Sequence, residues 1–110
     1  MKLAVLNTAI MTTDGTYQLE TITLEQAKQL AVEAAAGPGL DSAVGHQATA
    51  ELLSAMLGVP VPYNRQLFAQ EVGQKALVFK LNGRPPEGTE LSLGRIQEIG
   101  YTLKVMTRLA

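Results

Sequence analysis

The chain has 110 residues, 46% of them hydrophobic, and a formal net charge of −1. That length suits one domain, residues 1–110, and the apolar content supports a packed core rather than disorder. The near-neutral charge supplies no field that would draw the protein onto long nucleic acid, and a chain without cysteine has no disulfide, thiolate metal site or cysteine nucleophile.

Residues 2–7 are a short apolar run of β character and predict a buried strand. The run is too short for a signal-peptide core, and no stretch approaches the ~18 apolar residues of a membrane span. The expectation is a cytoplasmic protein with no membrane partner. Thr12-Thr13-Asp14-Gly15 is a turn signal, and residues 16–22 predict a second strand. Thr23-Leu24-Glu25-Gln26 matches a capping box, with Thr23 as N-cap. Leu24, Ala27, Leu30, Ala31, Ala34 and Ala35 recur at helical spacing until Gly37-Pro38-Gly39 stops the helix.

Residues 40–45 predict a brief strand. Residues 47–57 predict a second helix, with Ala48, Leu52, Leu53 and Met56 inward and Gly58 as its stop. Val59-Pro60-Val61-Pro62 is excluded from a central strand, because proline cannot donate to a ladder. Residues 66–69 predict a short strand. Residues 75–81 are apolar on both faces, as in a central strand. Asn82-Gly83-Arg84-Pro85-Pro86-Glu87-Gly88 is a stiff loop, Ser92 caps a short helix to about Ile99, and Gly100 ends it. Tyr101, Leu103 and Val105 then alternate with Thr102, Lys104 and Met106 in a last strand. This order predicts an α/β (α+β) domain: one mixed sheet of about five strands with helices packed on it.

Three places can carry chemistry. The single histidine, His46, follows Gly45 at the start of the second helix. Unpaired N–H groups and the positive dipole end favour an anion there, and glycine admits close approach to the backbone. An imidazole beside that anion can pass a proton near neutral pH; the plain alternative is a turn glycine followed by a helix cap. In the second place, two prolines hold Arg84 and Glu87 on a stiff platform. Arg84 can grip a phosphodiester in a forked geometry, with Glu87 orienting it or bonding a ribose hydroxyl; the alternative is a surface ion pair worth about 0–1 kcal/mol. Arg65, after Asn64, is the third and weakest. With one histidine and no cysteine, metal and cofactor chemistry is not expected. The chain has no Gly-rich phosphate loop, no Gly-x-Ser-x-Gly elbow and no aromatic stripe for base stacking.

These segments, in this order, resemble the viral ring nucleases that act as anti-CRISPR proteins, together with their bacterial relatives. The resemblance runs through Ala43-Val44-Gly45-His46, Leu57-Gly58, Asn64-Arg65, the apolar run 76–81, Arg84-Pro85-Pro86-Glu87-Gly88 and Leu91-Ser92. It implies a homodimer that cleaves a cyclic oligoadenylate second messenger, chiefly cyclic tetra-adenylate, and so silences type III CRISPR signalling. His46, Arg84 and Glu87 match the family's catalytic positions, and Gly45 and Arg65 its substrate-binding segments. Thr8 stands where the family has asparagine. Met11, with Thr12 beside it, stands where the family has a serine that positions the ribose. The implied mechanism needs no metal and no cofactor. The alternative is a protein that binds and sequesters the cyclic nucleotide without cutting it.

Overall fold

The structure, a computed structural model, describes residues 1–83 and 93–110. The elements are β1 (Leu3–Leu6), β2 (Tyr17–Ile22), α1 (Leu24–Ala36), β3 (Leu40–Ser42), α2 (Gln47–Leu57), β4 (Lys75–Leu81), α3 (Leu93–Ile99) and β5 (Tyr101–Arg108). Local chemistry sets most boundaries. The Thr23 hydroxyl accepts the Gln26 N–H, and the Gln26 side chain accepts the Thr23 N–H at 2.9 Å, so α1 opens with the expected capping box. Gly58 ends α2 in the left-handed region (φ 73°), its N–H donating to the Ser54 carbonyl at 3.0 Å.

The strands form one mixed sheet in the order β2-β5-β4-β1-β3. β1 runs parallel to both of its neighbours, and β5 runs antiparallel to both of its own. The carboxyl ends of β1, β3 and β4 therefore share one edge of the sheet.

All three helices pack on one face. Ala27, Ala31 and Ala34 of α1, Leu53 and Leu57 of α2 and Ile96 of α3 meet Leu3, Val5, Leu77, Phe79 and Leu103 of the sheet in one buried cluster. The small α1 residues let that helix lie close, while the large α2 side chains supply area, each buried leucine being worth about 1.5–3 kcal/mol. On the opposite face Ala4, Leu6, Ala76, Val78 and Met106 form a second buried cluster, roofed by Phe68. The chain between Val61, buried with the helices, and Phe68 thus crosses the sheet edge at β3.

Several expectations differ from the structure. Ala35 and Ala48 are exposed, and Thr49 and Ala50 are buried instead. A methyl group carries too little area to fix a helix's rotation, and the leucines and Met56 decide it. Met106 is buried rather than solvent-facing, because Phe68 covers that side. Residues 66–69 form no strand: the crossing chain is held to β3 mainly by side-chain amides. The loop carrying Arg84 and Glu87, with the cap Ser92, lies outside the described residues. Among those described, no helix is long and apolar enough to cross a membrane.

Candidate functional site

Gly45 and His46 link β3 to α2 at the shared carboxyl edge. His46 holds the N-cap position with extended backbone (φ −131°, ψ 124°), and its carbonyl accepts the Ala50 N–H at 3.0 Å. Its side chain makes no capping hydrogen bond, and the residue is exposed. His46 therefore occupies the N-cap position that the plain reading gives it, through its backbone and without a side-chain cap. The first α2 amides have neither a side-chain cap nor an acidic residue in the first turn to compete with an anion.

The crossing segment delivers Arg65 to this point. The Asn64 N–H donates to the Val44 carbonyl at 3.0 Å, and its side-chain amide donates to the Ser42 carbonyl at 2.8 Å. The Gln66 amide adds bonds to that carbonyl at 2.6 Å and to the Asp41 carboxylate at 3.0 Å. The buried Ser42 hydroxyl donates to the Pro62 carbonyl at 2.7 Å. Held from both sides, the Arg65 stem packs on Gly45: a methyl added at Gly45 would meet Arg65 Cγ at 3.5 Å. An exposed imidazole, an uncapped helix start and a guanidinium-bearing side chain thus share one ledge.

The loop after β1 belongs to the same edge. Thr8 and Met11 are exposed, and the Thr12 hydroxyl donates to the Phe68 carbonyl at 2.6 Å, docking the loop on the segment that carries Arg65. Arg84 and Glu87 lie outside the described residues. The described part of their loop, Asn82-Gly83, leaves the carboxyl end of β4. The Gly37-Pro38-Gly39 turn stands elsewhere: the Leu3 N–H donates to the Gly39 carbonyl at 3.0 Å, which puts this turn where β1 begins, at the far end of the sheet.

Two residues gained roles that the sequence did not suggest. Ser42 anchors the crossing segment. Arg108 donates to the carbonyls of Gln70 (2.6 Å), Asp14 (3.1 Å) and Ala110 (3.3 Å), and lies 5.9 Å from the centre of the Tyr17 ring. Its partners are up to 94 positions away, so no local pattern could have revealed it. Two clefts of about 290 and 320 Å³ run along α1 and share Leu30, Glu33 and Lys75. Neither is lined by His46, Gly45 or Arg65.

The sequence profile of the STIV B116-like family matches residues 3–103. The chain is 34% identical over 109 residues to the uncharacterized protein YddF of Bacillus subtilis (strain 168), covering 99% of each. It is 32% identical over 94 residues to the uncharacterized protein ORF117 of Acidianus two-tailed virus, covering 84% of this chain and 79% of that one. B116 of Sulfolobus turreted icosahedral virus shares the fold, with a TM-score of 0.80 at 19% identity over 97% of this chain and 99% of its own.

Proposed function

The chain belongs to the STIV B116-like family, and on that premise we propose that it is a metal-independent ring nuclease of the cytoplasm that opens cyclic oligoadenylate, with cyclic tetra-adenylate as the preferred ring. The observation that carries the reading is His46: an exposed imidazole that makes no capping hydrogen bond at the start of α2, next in the chain to the glycine on which the Arg65 stem packs.

The substrate brings its own nucleophile. The ribose 2′-oxygen forms a new bond to phosphorus, the bond from phosphorus to the 5′-oxygen breaks, and a 2′,3′-cyclic phosphate and a free 5′-hydroxyl result. The 2′ proton leaves to solvent, and protonated His46 supplies the proton that the 5′-oxygen takes up, a general-acid contribution of roughly 10²–10⁴-fold. The α2 amides and Arg65 bind the phosphate and hold the 2′-oxygen in line, and alignment of this kind can be worth ~7–11 kcal/mol. Arg84 stabilises charge on the non-bridging oxygens and Glu87 steadies Arg84 or a ribose hydroxyl; these two roles rest on the resemblance alone. The ledge is open, and one copy offers few positive groups for four phosphates. A homodimer with the ring across its twofold axis supplies two ledges facing each other.

The test is incubation with cyclic tetra- and hexa-adenylate in EDTA, with products separated by chromatography before mass spectrometry, since a single cut leaves the mass unchanged. Metal-free opening by the natural sequence, and binding without opening by His46→Ala, is the expected result. Opening that needs added divalent metal would overturn the mechanism. Met11, 58% exposed where a serine is expected, favours one alternative, sequestration of the ring. Tight binding with no product from the unmodified protein would establish it.

A further inference from the structure

We propose that Tyr63 is a stacking platform for a nucleobase of the bound ligand; this rests on the ring-nuclease reading above. The chain has five aromatic side chains, and four are committed inside the fold. Phe68 and Phe79 are buried at 4% and 2% exposure. Tyr101 stacks on Phe79 with ring centres 6.0 Å apart. The Tyr17 hydroxyl donates to the Thr13 carbonyl at 2.9 Å, and its ring lies under Arg108. Tyr63 is 47% exposed and has no hydrogen bond or ring contact among the described residues.

Its place on the crossing segment explains what the ring is free to do. Asn64 and Gln66 turn their amides onto β3, and Phe68 is buried in the second cluster. Tyr63, Arg65 and Leu67, which alternate with them in the chain, are exposed, Leu67 fully (100%). The Arg65 stem packs on Gly45, the residue before His46. Two residues span at most about 7 Å of chain. A phosphate held by Arg65 and the α2 amides thus leaves its own or the neighbouring base within reach of the Tyr63 ring. A tyrosine face offers stacking to any base, so Tyr63 sets affinity and register, while base identity is read elsewhere.

The test uses the His46→Ala protein, which binds without consuming the ring, and cyclic tetra-adenylate as probe. Adding Tyr63→Ala is expected to weaken binding roughly 5- to 150-fold, the range for loss of one base–aromatic stack. Adding Tyr63→Phe instead is expected to retain the affinity. Ligand is also expected to quench tyrosine emission in the His46→Ala protein, and the Tyr63→Phe variant is expected to lose most of that quench while still binding. Light scattering of each variant follows its oligomeric state. Unchanged affinity in the Tyr63→Ala variant overturns the proposal. Loss of the dimer in that variant also overturns it, by assigning Tyr63 to a contact with a second copy. If the His46→Ala parent and the unmodified protein bind no cyclic oligoadenylate, the ring-nuclease reading fails first and takes this one with it.

Discussion

Gly45→Ala separates what the fold requires from what a ligand requires. Gly39, Gly58, Gly73 and Gly100 have positive φ, where a side chain is strained, and Gly45 does not. The nearest atom to an added methyl is Arg65 Cγ at 3.5 Å, an ordinary van der Waals separation. The fold therefore has no need of glycine at this position. A compatible glycine-to-alanine change stabilises by about 0.4–1 kcal/mol through the unfolded chain, a rise in Tm of roughly 2–4 °C for a domain of this size. The same methyl narrows the space beside the Arg65 stem, on the approach to the first α2 amides. If a phosphate docks there, the loss should resemble removal of one preorganised donor, about 10²-fold in turnover. Calorimetry gives the first number and single-turnover ring opening the second. Gly58→Ala is the control, since its left-handed backbone costs about 1–2 kcal/mol for any other residue. A Gly45→Ala protein that is both stable and fully active would show that no anion approaches this backbone. One that unfolds would show that the Arg65 stem cannot accommodate a methyl group at this position.

Two further changes probe the frame around the ledge. Arg108→Ala removes bonds to three carbonyls on separate segments; allowing for its partial exposure, a loss of about 2–3 kcal/mol is expected, or roughly 8–12 °C in Tm. Amide exchange should quicken at Thr16, whose N–H donates to the Ala110 carbonyl, and an unchanged Tm would mean the staple is idle. Thr23→Ala breaks the capping box of α1 at a cost of about 1 kcal/mol; Thr23→Ser should restore it, and ring opening should be unaffected because α1 does not carry the ledge.

The fold was legible wherever the signal was local. The capping box at Thr23, the glycine stops at Gly37 and Gly58 and the two-sided apolar run of β4 each mark an element within a few residues. Long-range partners defeated the rest. Residues 66–69 include the apolar pair Leu67-Phe68, but no strand stands beside them, because β3 ends at Ser42 and its carbonyl is taken by the Asn64 and Gln66 amides. Met106 reads as the polar side of an alternating strand until Phe68, from 38 positions earlier, covers it. The site divides in the same way. Gly45-His46 is visible because a helix start is a local object. Arg65 looks like a solvated residue after a proline turn, and only the chain's passage over β3 sets it against Gly45.

That passage ties the fold to the chemistry. Parallel pairing of β1 with both β3 and β4 brings three carboxyl ends to one edge, the place where open sheets of this kind gather ligands. The edge strand β3 has only three residues, and an uncovered edge invites wrong pairing. Covering it with side chains rather than with another strand protects the edge. It also leaves Tyr63, Arg65 and Leu67 of the covering segment exposed. The price is exposure, since His46 and Arg65 both stand in water, where charge interactions are weak. A general acid works better once water is displaced. On the function proposed above, a cyclic oligoadenylate pressed between two such ledges is the group whose arrival would displace it.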